Sequence, residues 1–195
     1  MPTIPTAAAS GSKIPKRRAD GTLMFADWPE FRPNLTPREI FSQGAFGGTY
    51  WRPIHSRVTG RDYRNQHKKY SFLARIPEDM MSCVRYDVEK NKYGARSGTS
   101  LEYWEDHNWI VARDPYGWVQ WYCEFYGGRR SADDERQIAR WKAFAGPQGR
   151  FRLRLVGMIQ RAKTKYNDVK ISPVIRQGLH HWAYCITAAD IRAAR

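Results

Sequence analysis

The sequence predicts a mostly α protein: a single compact domain of about six or seven helices, with one or two short strands, behind a disordered N-terminal tail. Three observations carry this reading. Capping side chains stand directly before proline at Thr36-Pro37, Asp114-Pro115 and Ser172-Pro173, a pattern that starts helices because proline has no N–H to satisfy there. Apolar residues at helical spacing follow each pair. Aromatic residues make up 14% of the chain and include eight tryptophans, ample material for a core beneath a charged surface.

In chain order, residues 1–27 are rich in Pro, Ala, Ser, Thr and Gly without periodicity, and read as a flexible basic tail before a helical globular domain over 28–195. Thr36 and Glu39 have capping-box spacing, Pro37 takes the first helical position and Gly44 stops the helix. Gly44 to Gly60 reads as a loop with a short strand at Thr49 to Trp51. A basic segment, Arg61 to Lys69, follows. Glu78 to Glu89 reads as a helix and Trp109 to Ala112 as a short strand. Asp114-Pro115 starts a helix that Gly127 ends, and Ser131 with Asp134 starts another that Gly146-Pro147 ends. Residues 150–165 read as a helix, with a strand at Phe151, Leu153 and Leu155 as the competing reading. Ser172-Pro173 and Thr187 with Asp190 start the last two helices.

Within the helix that Asp114-Pro115 starts, Trp118, Trp121, Tyr122 and Phe125 fall at i, i+3, i+4 and i+7, one buried face rather than a stacking platform. Tyr116 and Tyr126, at its ends, are expected at the surface. Trp118, Trp121, Phe125, Ile138 and Trp141 are expected to share one core with Leu155, Ile159, Ile175, Leu179 and Trp182.

Lys and Arg outnumber Asp and Glu by 33 to 19, a formal charge of +14 that favours polyanions: nucleic acid first, an anionic membrane surface second. A basic subunit of a larger complex would show the same bias. Three cysteines, Cys83, Cys123 and Cys185, form neither a disulfide framework nor a Cys-x-x-Cys pair, which fits an intracellular compartment. No apolar run reaches the roughly 18 residues of a membrane span, so no membrane insertion is expected. Lys13, Lys16, Arg17 and Arg18 form a candidate nuclear-import cluster. The lack of an acidic residue before Asp20 also admits an organelle presequence, against which the prolines argue.

The sharpest functional signal is the segment 148–176, where eight Lys/Arg meet one acid, Asp168. On a helix, Phe151, Leu155, Met158, Ile159 and Ala162 share one face, with Arg150, Arg154, Arg161 and Lys165 in a stripe beside it. These four are expected to contact phosphates, supplemented by Arg61, Arg64, Lys68 and Lys69, with Tyr63 and Tyr70 placed for stacking. The partner expected from this is DNA or RNA, bound as a polyanion without a recognised base-reading motif. Arg129 and Arg130 are expected to pair with Asp133, Asp134 and Glu135. Those three acids diverge on one helical turn, which disfavours Mg²⁺.

His181 and Cys185 have half of a zinc spacing, but His55, His67 and His107 lie in unrelated segments, so no metal site and no cofactor are expected. The glycine loop lacks the Lys-Ser/Thr of a phosphate loop. The alternative is a small enzyme whose site uses the Gly44–Gly60 loop with His55, Cys123 and the Asp133–Glu135 cluster. Its catalytic residues are not legible in the sequence, and Cys123 beside Glu124 reads as an inert buried thiol.

Overall fold

Most of the predicted cap signals are helix starts in the computed structural model, which describes residues 14–194. Thr36 accepts from the Glu39 N–H and Glu39 reaches back to Thr36 N–H, closing the capping box of α1 (Pro37–Ser42). Helix α2 spans Leu101–Asp106, α3 Trp118–Tyr126, α4 Asp134–Ala145 and α5 Arg150–Arg161. Pro173 opens α6 (Pro173–His181), and a second capping box, Thr187 with Asp190, opens α7 (Ala188–Ala193).

Helices are the main regular structure, accompanied by two small antiparallel sheets: β1 (Lys16–Arg17) with β2 (Leu23–Met24), and β3 (Ile54–Ser56) with β4 (Arg61–Tyr63). From Gln43 to Ser100 the described chain has no α-helix. Short 3-10 turns and the β3–β4 hairpin fill that stretch. The helix expected at Glu78–Glu89 is therefore two separate 3-10 turns, Glu78–Met80 and Val88–Lys90. Lys90 explains part of this, because its ammonium bonds the Asp79 backbone and carboxylate across the gap. The strands expected at Thr49–Trp51 and Trp109–Ala112 are turns. Only an isolated Val111–Asp114 bridge remains of the second.

The tail requires the largest correction. Residues 1–13 lie outside the described residues, but 14–27 fold onto the domain. The β1–β2 hairpin drives Leu23 and Phe25 into the core, 2% and 3% exposed. Its Arg17 bonds both Glu39 carboxylate oxygens, at 2.9 and 2.7 Å. Leu23 and Phe25 flank the exposed Met24, an alternation of buried and exposed residues that is apolar throughout and too short to stand out as a strand pattern.

Helix α3 is the spine. Trp118, Trp121, Tyr122 and Phe125 are buried as expected, and all ten predicted core residues belong to the core or pack on it. Phe31, fully buried, sits at the hub: its ring contacts Phe25, Trp121, Tyr122, Phe125 and Trp141 at centroid distances of 5.1 to 5.8 Å. Such pairs are worth about 0.5–1.5 kcal/mol each beyond area burial. Tyr116 and Tyr126, expected at the surface, are buried at 2% and 8%. The Tyr116 hydroxyl donates to Arg52 O, so its polar end is satisfied inside.

Asp114 does not cap α3. Gly117 does, at φ 84, a left-handed conformation that suits glycine, and Ile110 Cδ1 lies 2.9 Å from where a Cβ would stand. Against α3 pack α1 and α4, and α5 packs on α4, α6 and α7.

Candidate nucleic-acid interface

Residues 150–161 are the predicted helix, and the strand alternative is excluded. Leu155, Val156 and Ile159 are buried, Phe151 and Met158 are half-buried, and Ala162 lies exposed past the helix end. Arg150, Arg154 and Arg161 are exposed on α5, while Lys165 is exposed in the turn beyond it. The stripe is thus three arginines on a helix and a lysine off its end. Arg152 turns inward to pair with Asp190 and lies 4.4 Å from the Tyr184 ring centroid.

Ion pairs occupy part of the basic surface elsewhere. Arg17, Arg57, Lys90, Arg129, Arg130 and Arg136 each meet a carboxylate. Among the described residues no carboxylate pairs with Arg150, Arg154, Arg161, Lys163, Lys165 or Lys170, all exposed. The nearby Asp168 is bonded by the Thr164 hydroxyl and the Lys170 N–H.

The second basic segment is less available. Arg61 and Arg64 are exposed and no ion pair engages them among the described residues. Lys68, however, pairs with Glu78 at 3.1 Å and Lys69 with Glu124 at 2.6 Å. Tyr70 is buried and donates to Glu124 Oε1, which removes it as a stacking surface, whereas Tyr63 is half-buried against the core. This segment and α5 share neither an ion pair nor a hydrogen bond among the described residues.

Beside Arg150 opens a cleft of about 450 Å³. Its walls are aromatic, with Trp104, Trp109, Phe144, Phe151 and Trp182 among the lining residues. Phe144 stacks on Phe151 at 3.9 Å and on Trp182 at 5.0 Å. Tyr103 and Trp109, 41% and 39% exposed, form the rim. Gly178 contributes a wall without a side chain inside α6. A Cβ there would stand 3.0 Å from Ser97 Oγ, which accounts for a residue that destabilises a helix interior by about 1 kcal/mol against alanine.

Among the described residues, two cations and one neutral imidazole line this cleft together with the aromatics, and no carboxylate or cysteine does. Arg140 lies 5.7 Å from the Trp109 ring and 5.5 Å from the Trp182 ring. Burial, with repulsion from Arg136, draws its guanidinium down to about 10, still protonated at neutral pH. Its Nη1 donates to Gln137 Oε1 at 3.0 Å, and no carboxylate salt bridge holds it. Arg150 lies 5.5 and 5.4 Å from the Phe144 and Phe151 rings.

His181 is 5% exposed and stacks on Phe46 at 3.8 Å. Its Nε2 accepts from the Phe46 N–H at 3.1 Å and from the Gln177 amide at 2.9 Å. Both bonds require the tautomer with its proton on Nδ1, and burial holds the ring neutral by pushing its pKa well below 6.5. Phe46 itself is held at φ 53, a left-handed conformation rare for an aromatic residue.

The other candidate groups do not converge. Arg129 pairs with Asp114 and Arg130 with Asp27, rather than with the acids of α4. Asp133 pairs with Arg136, and the buried Asp134 accepts from Trp121 Nε1 and Ser131 Oγ, both at 2.8 Å. His55 is exposed against Asp62, His107 stacks on Tyr103, and the buried His67 lies 3.9 Å from Glu78. Burial drives the Cys123 thiol well up, so it stays protonated and inert. Cys185 is half-buried near Lys92 and Tyr93, each at 3.7 Å, and 3.9 Å from His180 Nδ1. His181 and Cys185 therefore face different surroundings, and no group of three His, Cys, Asp or Glu suited to a metal ion occurs among the described residues.

The sequence reading found Arg150 and assigned Phe151 and Trp182 to packing. It missed the cleft itself, whose walls come from the ends of separate elements. Trp109, next to the left-handed Asn108, was the one signal, a large ring outside any helical period. No protein-family model, curated protein or solved structure matches this chain. No helix among the described residues is long and apolar enough to cross a membrane.

Proposed function

We propose that the protein is a nucleic-acid-binding, basic helical domain that contacts phosphates through Arg150, Arg154, Arg161 and Lys165. The observation that carries this is the uncompensated charge of α5 and its following turn, six exposed cations without a carboxylate partner among the described residues. Unpaired cations gathered on one helix and the turn after it attract a polyanion in a salt-dependent way. Arg61 and Arg64 are the available members of the second basic segment, since Lys68 and Lys69 are already paired.

The cleft favours binding over catalysis: no cysteine or carboxylate lines it among the described residues, and the basic Nε2 of its one imidazole, His181, already accepts from the Phe46 N–H and the Gln177 amide. The small-enzyme alternative loses its proposed wall: the cleft takes Phe46 and Tyr50 from the glycine loop but not His55, Cys123 or the acids of α4. One contiguous hydrophobic cluster from Leu23 to Ile186 supports a single domain. An intracellular, nuclear location goes with this reading. It draws on three free cysteines and on the basic cluster, of which Arg17 is already committed to Glu39.

Titration with duplex DNA, duplex RNA and single strands across a salt series tests the proposal. Four phosphate contacts give a slope of log affinity against log salt of about −3.6 on duplex DNA. Replacing all four cations by glutamine keeps an unbranched polar stem and a similar helix propensity, so the melting transition stays and the slope flattens by about 0.9 per contact. An unchanged slope excludes the stripe. No affinity for any nucleic acid at low salt overturns the proposal and leaves a basic structural subunit as the better account.

A further inference from the structure

We propose that the aromatic cleft receives one unpaired nucleobase of a bound strand, with Arg140 and Arg150 facing the phosphate of the same nucleotide. This rests on the nucleic-acid reading above and deepens it, since it converts phosphate tracking into recognition of single-stranded chain.

The cleft has the right chemistry on each side of such a ligand. Its volume of about 450 Å³ lies within the roughly 300–1,000 Å³ usual for small-ligand sites. Flat rings dominate the walls, and the two at the rim, Tyr103 and Trp109, expose about two-fifths of their surface. Bases stack on such rings whatever their sequence, because every base has a π-face.

The polar groups decide the class of ligand. An entirely apolar guest would leave the Arg140 guanidinium only the acceptors it already has on Nη1, Gln137 Oε1 and Trp109 O, and would cover the charge of Arg150 and the His181 Nδ1 proton without supplying an acceptor to either, which opposes binding. A base supplies ring nitrogens and carbonyl oxygens to a neutral imidazole donor, and its phosphate supplies oxygens to the guanidinium groups. No lining carboxylate repels that phosphate.

Arg150 joins the two features. It is the first residue of α5, so it begins the cationic stripe, and it also lines the cleft over Phe144 and Phe151. A strand following Arg161 and Arg154 toward Arg150 arrives at the cleft mouth. A base inside a duplex stack cannot enter between these walls, so selectivity for unpaired nucleotides follows from shape.

Tryptophan fluorescence is the readout, since Trp104, Trp109, Trp118 and Trp182 line the cleft. Probes are oligothymidylate, a duplex of equal length, adenosine and uridine 5′-monophosphates, and orthophosphate. The expected result is saturable quenching by the single strand and, at higher concentration, by the monophosphates, which compete with it, and none by orthophosphate. Trp109→Leu and Arg140→Gln, with unchanged melting, are each expected to weaken single-strand binding, the first by about 5- to 150-fold. Duplex affinity and its salt slope stay as they were.

Full single-strand affinity in both variants overturns the cleft proposal, and if the α5 glutamine variant still flattens the duplex slope, the nucleic-acid reading survives it. Quenching by monophosphates without any oligonucleotide binding assigns the cleft to free nucleotides and overturns the strand form. Absence of both nucleic-acid and nucleotide binding overturns both.

Discussion

Arg129 grips Asp114 with both arms of its guanidinium, Nη1 to Oδ1 at 2.8 Å and Nη2 to Oδ2 at 2.6 Å. The carboxylate is fully buried, and the pair ties the chain entering α3 to the chain leaving it. Burial pushes the Asp114 carboxyl up while Arg129 pulls it down, and burial is the larger effect.

Arg129→Met leaves that carboxylate buried and unpaired, with an expected loss of about 3–5 kcal/mol in urea unfolding. A group with a raised folded pKa stabilises below its unfolded pKa and loses that contribution as pH rises. The variant is therefore expected to be less impaired at pH 5 than at pH 8. An equal loss at both would mean that the carboxylate has found another partner.

Trp121 is fully buried on α3, with its indole N–H on Asp134 at 2.8 Å. Trp121→Ala is expected to destabilise by about 3–5 kcal/mol, part of it from the hydrogen bond lost at Asp134 Oδ1, which keeps only the Ser131 hydroxyl. Calorimetry showing an unaltered transition would contradict the core described above.

A chain shortened to begin at Trp28 removes Leu23, Phe25 and the Arg17 and Asp27 ion pairs together. The expected loss is about 4 kcal/mol or more, roughly a 10 °C fall in melting temperature for a domain of this size. A chain beginning at Ile14 is expected to melt like the full protein. Identical melting of both shortened chains would restore the disordered-tail reading for 14–27.

Two adjacent histidines, His180 and His181, are buried and neutral. Burial lowers His180 to about 4, helped by Lys92, and takes His181 well below 6.5. A depressed folded pKa stabilises above the unfolded value and loses that as pH falls, so stability is expected to decline from about pH 6.5 downward. His180 alone accounts for about 3 kcal/mol by pH 4. Denaturation midpoints from pH 7.5 to 4.5 check this, and His180→Gln, which keeps a donor for Ile40 O, is expected to reduce the slope.

Several elements were legible because their determinants are local. Thr36-Pro37-Arg38-Glu39 and Thr187 with Asp190 encode capping boxes within four residues, and the structure has both. The 3.6-residue spacing of Trp118, Trp121, Tyr122 and Phe125 marks a buried face whatever it packs against. The charge excess of 148–176, and its place on α5, follow from composition and period in the same way.

Tertiary structure decided what depends on partners far along the chain. Asp114 reads as a cap because proline follows it, yet Arg129 claims its carboxylate from 15 residues away. Leu23 and Phe25 are too few to announce a hairpin, but Phe31 and Phe125 give them a core to join. Lys68 and Lys69 resemble Arg154 and Arg161 in sequence, and only the positions of Glu78 and Glu124 separate neutralised cations from free ones. The cleft is the extreme case. Its rings come from the glycine loop, α2, the loop before α3, the start of α3, α4, α5 and the end of α6, so no window of sequence contains it: periodicity specifies which face of an element is buried, while a concave site requires several faces to stop short of one another.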